Sequence, residues 1–273
     1  MYELSLTTSY VPAQSDMETR EITIGALLRE VAAARPEAEA LVEIRQDGST
    51  GRRWTYAELL AEAERLAMAL SSRFALGERV VIWSSNSPEW VLMEYACALS
   101  GLVLVTANPA FQARELAYVL EQSGAVALFL VEEFRGNPMG RIGAEVAASV
   151  PAIREVTDME SDALFAPGPR PPALPHVAPG DAAMIQYTSG TTGFPKGAVL
   201  SHRGLVNNAR FYASRCGATK ATTWVNIMPM FHTSGCGMVT LGCLQAGCRM
   251  VLISLFAPDV VLDQLEANGA DII

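Results

Sequence analysis

An apolar run, Ala182 to Tyr187, breaks directly into Thr-Ser-Gly-Thr-Thr-Gly-Phe-Pro-Lys-Gly at 188–197, and this junction constrains the fold more than any other stretch. A short apolar run of this length reads as a buried strand, and the loop it feeds must leave from the end of a sheet, where open α/β folds hold ligands. Thr188, Ser189, Thr191 and Thr192 offer hydroxyl donors. Gly190, Gly193 and Gly197 let backbone amides approach an anion, and Lys196 adds a positive charge. Such a set grips phosphate oxygens, so the expected guest is a nucleoside triphosphate.

The loop fits neither of two better-known templates. A Gly-x-x-x-x-Gly-Lys-Ser/Thr phosphate loop needs Lys directly after Gly, whereas Lys196 stands between Pro195 and Gly197. A Gly-x-Gly-x-x-Gly dinucleotide fingerprint is also missing from the segment, because Gly190 and Gly193 are separated only by Thr191 and Thr192. Tyr187 to Gly197 instead resembles the Tyr-Thr-Ser-Gly-Thr-Thr-Gly-x-Pro-Lys-Gly loop of the adenylate-forming (AMP-binding) superfamily, shared by acyl-CoA synthetases (fatty-acid–CoA ligases among them), aryl-acid ligases, luciferases and nonribosomal-peptide adenylation domains. A ligand-free Gly/Ser/Thr surface loop is the alternative, but generic loops rarely reproduce eleven pattern positions.

Other segments follow the same family's order. Thr55-Tyr56-Ala57-Glu58-Leu59 and Gly101 through Asn108-Pro109 resemble early family motifs, and both also read as local structure. Thr55 and Glu58 have capping-box spacing before a helix through about Leu70, and Ser87-Pro88-Glu89 starts another through about Leu99. Arg79–Trp83, Leu102–Thr106 and Ala125–Val131 read as strands between helical segments, and residues 270–273 as a further buried strand. The expected fold is therefore α/β, with mostly parallel sheets and flanking helices. The resemblance further implies an incomplete N-terminal domain of an adenylate-forming enzyme. On this reading residues 1–21 are a surface tail and 22–273 a partial adenylation domain, with a Pro-rich extended connector at 166–180 and the phosphate loop at 187–197.

Bulk properties remove several function classes. A net charge of −9, with Lys and Arg scattered, disfavours a nucleic-acid partner. The most apolar stretch, Gly237 to Phe256, carries Gln245, Gly247 and Arg249 near its middle and reads as a buried helix and strand, not a membrane span. Five cysteines without Cys-x-x-Cys spacing indicate neither a disulfide framework nor a zinc site, and no secretory signal is evident, so a reducing, cytoplasmic setting is expected.

A second motif, Pro229-Met230-Phe231-His232-Thr233-Ser234-Gly235, resembles the family's Pro-x-Phe-His-x-x-Gly element. A lone His beside an aromatic is usually a hydrogen-bonded structural residue. The resemblance instead places His232 at an active site, between ATP and the acyl pocket, where it orients the carboxylate or gates access. His232 and Lys196 are thus the catalytic candidates, and Thr188, Ser189, Gly190, Thr191, Thr192, Gly193 and Lys196 the nucleotide-binding ones.

The implied chemistry consumes a carboxylic acid, ATP with Mg2+, and CoA. The ionised acid attacks the α-phosphorus, pyrophosphate leaves, and a thiol then attacks the acyl-adenylate and expels AMP. No base is needed for the first attack, since a carboxylic acid with a pKa of about 4 is already ionised. Asn108-Pro109 and the Met-Phe-His-Thr-Ser-Gly run favour a CoA ligase, with a fatty acid as donor, over an aryl- or amino-acid-activating enzyme. The family's later Tyr-Gly-x-Thr-Glu motif, its ribose-binding Asp, its hinge and the C-terminal domain with the catalytic Lys do not occur in the chain. The magnesium ligand is accordingly unassigned. The alternative expectation is a catalytically silent nucleotide-binding fragment, whose exposed apolar surface would favour self-association.

Overall fold

The computed structural model describes residues 18–188 and 195–273. Two sheets sandwich a central helical layer. The larger has the strand order β6-β5-β3-β4-β7-β8, comprising β3 (Arg79–Trp83), β4 (Val103–Ala107), β5 (Ala125–Leu130), β6 (Glu155–Asp158), β7 (Ala182–Thr188) and β8 (Lys196–Ser201). Its pairings are parallel except β7 with β8, which is antiparallel. The smaller has the order β2-β1-β10-β9, with β1 (Glu39–Ile44), β2 (Thr50–Thr55), β9 (Thr223–Asn226) and β10 (Arg249–Ile253). Only its β1–β2 pair is antiparallel.

Strand alternation sets the layers. In β3, Val80 and Ile82 face the central layer, which holds α1 (Ile24–Ala34), α2 (Tyr56–Arg73), α3 (Pro88–Ser100), α6 (His202–Arg215) and α7 (Leu241–Ala246). Val81 and Trp83 face the opposite side, against α4 (Ala113–Ser123) and α5 (Met139–Ser149). Val42, Ile44, Val251 and Ile253 likewise turn outward from the smaller sheet onto Val261 of α8 (Pro258–Ala267). The result is a five-layer α-β-α-β-α stack. Each fully buried Leu, Ile or Val contributes roughly 1.5–3 kcal/mol.

The helix ends follow their local chemistry. Thr55 and Glu58 form a reciprocal capping box on α2, and the Ser87 hydroxyl accepts the Trp90 amide at the start of α3. Gly101 ends α3 at φ 68°, a left-handed turn, and a Cβ there would meet Leu76 Cδ1 at 2.3 Å. The run from Gly237 does split into a helix and a strand, at Gly247 with φ 63°, and a π-helical segment, Ser234–Thr240, precedes α7. The proline-rich stretch after Phe165 runs without helix or strand to Gly180. Of residues 1–21, Glu18 to Glu21 lie along α6, where Asn207 bonds both the amide and the carbonyl of Arg20.

One local expectation fails. Residues 270–273 read as a buried strand, yet Ile272 forms only an isolated parallel bridge to Trp224 and Ile273 is exposed. The Asp271 carboxylate takes the Thr223 amide, so β9 is held here by one side chain and a few backbone bonds, not by a ladder.

Two buried ionisable groups oppose each other in pH dependence. His202 is fully buried, its Nδ1 accepts the Ile24 amide at 3.5 Å, and Nε2 has no partner. Burial lowers its pKa from 6.5 to about 4, outweighing the favourable charge of Asp181. The folded state then binds fewer protons than the unfolded chain between these values. Up to about 3 kcal/mol is therefore lost as pH falls from 6.5 to 4. Glu94 on α3 is buried with both carboxyl oxygens unpartnered, and burial raises its pKa well above 4.5. Its contribution is present below pH 4.5 and declines as pH rises toward the folded value. Thermal melts of wild type, His202→Gln and Glu94→Gln across pH 4.5–8 should show His202→Gln flattening the acid limb. Glu94→Gln should gain on wild type as pH rises above 4.5, and parallel curves for all three proteins would contradict both assignments.

Candidate functional site

The strand ahead of the phosphate-type loop is a paired one. β7 and β8 form an antiparallel ladder in which Tyr187 faces Gly197 and Thr188 faces Lys196, so Thr188 and Lys196 are the roots from which the loop departs. The Thr188 hydroxyl donates to the Lys196 carbonyl at 3.4 Å, and both residues are exposed. Ser189, Gly190, Thr191, Thr192 and Gly193 lie outside the described residues. Gly197 is closely packed, since a Cβ would meet Ile185 Cγ2 at 3.0 Å and Gln122 Oε1 at 3.3 Å and those side chains would have to give slightly.

The second motif follows β9. His232 is exposed at the start of the π-helical segment, where its carbonyl accepts the Gly235 amide at 3.0 Å. Its Nδ1 accepts the Ser234 amide at 3.2 Å and lies 2.9 Å from the Ser234 hydroxyl. An amide can only donate, so in the neutral ring the proton sits on Nε2, which makes Nε2 a hydrogen-bond donor. Gly235 permits the tight turn, because a Cβ there would meet the Pro229 carbonyl oxygen at 2.4 Å. Buried Asn226 accepts the Met228 amide and donates toward the Gly235 carbonyl, while the Thr240 hydroxyl donates to that same carbonyl at 2.9 Å. π-Helical turns recur at functional sites, and this one is stabilised by side chains.

Two side chains, Gln186 and Asn86, tie these pieces together. Gln186, two residues before Thr188, donates to Cys236 Sγ at 3.2 Å and to Met184 Sδ at 3.0 Å, linking the strand under the loop to the segment that follows His232. Burial pushes the Cys236 thiol up, with the Glu94 charge adding to the effect, so it stays protonated. Asn86, just beyond β3, donates to the Met228 and Ile253 carbonyls and accepts the Met230 amide at 2.8 Å. It thereby pins the end of the larger sheet to two strand exits of the smaller one. Sequence reasoning missed Asn86 because it precedes the Ser87 cap and reads as part of an ordinary helix start.

Beside the histidine motif is a cleft of about 260 Å³, lined by Asn86, Asn108, Pro109, Arg135, Phe231 and Phe256 among others. These residues leave the C-terminal ends of β3, β4, β5, β9 and β10, so the exits of both sheets converge on one hollow. Among the described residues no group of three or more His, Cys, Asp or Glu side chains is placed to hold a metal ion. No described helix is long and apolar enough to cross a membrane.

With this geometry established, comparison with known proteins identifies the family. The chain is 33% identical over 280 residues to the human mitochondrial medium-chain acyl-CoA ligase ACSF2, covering 90% of this chain and 45% of that protein. Among solved structures, apo MbtA of Mycobacterium smegmatis superposes with a TM-score of 0.79 at 26% identity, over 92% of this chain and 47% of that one. The O-succinylbenzoate CoA synthetase MenE of Bacillus subtilis, solved with ATP and magnesium, shares the fold with a TM-score of 0.74 at 24% identity, over 93% and 63% of the respective chains. The chain spans about half the length of the curated relatives it matches. The AMP-binding enzyme family matches residues 28–273, and the protein belongs to that family.

Proposed function

We propose that these residues form the nucleotide-handling half of an acyl-CoA synthetase, which activates a fatty acid with ATP and passes the acyl group to CoA. The observation that carries the proposal is the Tyr187–Gly197 sequence mounted between paired strands, with Thr188 and Lys196 at its roots. In this reading Thr188 to Thr192 and Lys196 hold the β- and γ-phosphates, and magnesium enters on the nucleotide. Alignment and relief of negative charge on the departing pyrophosphate are the main requirements of the first step. Family membership and the acyl-CoA ligase relative support the reaction class.

His232 is assigned to orientation. With Nδ1 occupied by Ser234, Nε2–H is the ring's available donor, suited to a carboxylate oxygen of the acid or an oxygen of the adenylate. Such a donor stabilises developing charge without proton transfer. The free cysteines among the described residues, Cys97, Cys216, Cys236, Cys243 and Cys248, support a reducing compartment.

Nucleotide binding can be measured on this chain, whereas acyl transfer is assigned to the whole enzyme. Calorimetric titration with MgATP should show binding that weakens about tenfold or more in Lys196→Ala and Thr191→Ala, equivalent to at least about 1.4 kcal/mol. Unchanged affinity in both variants would remove the loop from the site. In the full-length enzyme, His232→Ala should lower kcat/KM for the acid by roughly 10²-fold while leaving the KM for ATP within a factor of about two. An unaltered acid dependence would take His232 out of the reaction.

A further inference from the structure

The ladder beneath the phosphate loop ends at Thr188 and Lys196, and the next residue on the return side is Pro195. Proline has no amide hydrogen, so at this root the backbone can only accept a hydrogen bond. The acceptor is used: the Tyr118 hydroxyl of α4 donates to the Pro195 carbonyl at 2.9 Å. One helical turn further along the same face, Gln122 Oε1 accepts the hydroxyl of Tyr187, the residue before Thr188 on the outgoing side. The Tyr118 and Tyr187 rings meet edge to face, with centroids 6.4 Å apart and planes at 72°. Gly197 lies beside Gln122 and Tyr187, where a Cβ would come within 3.3 Å of Gln122 Oε1 and 3.4 Å of Tyr187 Cζ.

We infer that Tyr118 and Gln122 are positioning residues for the nucleotide loop, a two-point clamp through which α4 holds both of its roots in one geometry. The inference rests on the reading of that loop as the ATP site, and adds residues that lie some 70 positions away in sequence. The clamp itself is anchored. Leu116, Val119 and Leu120 bury the opposite face of α4 in the sheet, the Glu115 carboxylate accepts the Gln112 amide at its start, and the Gln112 side chain donates to Asn137. Burial, reinforced by Tyr118, pushes the Tyr187 phenol up to about 12, so its hydroxyl keeps the proton it donates.

The test uses Tyr118→Phe, which deletes one oxygen and keeps the ring contact, and Gln122→Ala, which removes the second anchor. Three quantities are measured on the 273-residue chain: melting temperature, hydrogen exchange of the Thr188, Lys196 and Gly197 amides, and MgATP affinity by calorimetry. The clamp requires faster exchange at those amides, a melting temperature within about 2 °C of wild type for Tyr118→Phe, and MgATP affinity reduced about five- to tenfold. Exchange and affinity indistinguishable from wild type in both variants would overturn the inference, as would faster exchange with unchanged affinity. A loss of affinity that merely tracks a fall in melting temperature would also overturn it. Failure of the loop assignment is a separate result, read from Lys196→Ala and Thr191→Ala keeping wild-type affinity whatever the tyrosine variant does.

Discussion

The central helical layer must be covered on both faces, and the rest of the structure follows from that constraint. α3 shows how severe it is: every residue from Trp90 to Ser100 is buried, including Glu94. A helix apolar all round cannot lie on a surface. One sheet could cover only one side of this layer, so the chain builds two, and the six- and four-stranded sheets close over α1, α2, α3, α6 and α7. Parallel strands joined through helices place all their exits on one edge. Packing two such sheets face to face brings both sets of exits to the same hollow, where Asn86 ties them together with three hydrogen bonds.

The candidate residues come from both sheets. The loop roots Thr188 and Lys196 come from the larger sheet, and His232 leaves the smaller one. Gln186 and Cys236 bridge the two beneath the surface. Two buried polar groups of this region have weak partners or none: Gln186 donates to sulfur atoms, and Glu94 has no donor at all. Such groups cost stability, and buried polar groups without full partners call for a reason besides folding.

Much of the local structure was legible beforehand. The Thr55–Glu58 box and the Ser87 cap start α2 and α3 where their spacing says they should, because capping depends on atoms three residues apart. Arg79–Trp83 matches its expected bounds, and the neighbouring strands shift by a single residue. The hairpin β1–β2 was less visible. β2 reads Thr-Gly-Arg-Arg-Trp-Thr, a largely exposed edge strand with little apolar signal. The expected strand at 270–273 failed for the opposite reason: its apolar residues gave a signal, but only Ile272 finds a backbone partner strand.

The residues alone determined a mostly parallel α/β architecture, the starts of α2 and α3, and a hydroxyl- and glycine-rich segment with one lysine after an apolar strand. All of these rest on short-range periodicity and on side chains a few positions apart. The tertiary structure alone decided that β1 and β10, some 200 residues apart, share a sheet, that Asn86 joins two sheets, and that Tyr118 and Gln122 grip the loop's roots. Periodicity reports whether a side chain meets water or core. It carries no information about which distant atom the side chain will meet there, and that pairing is settled only when the layers pack.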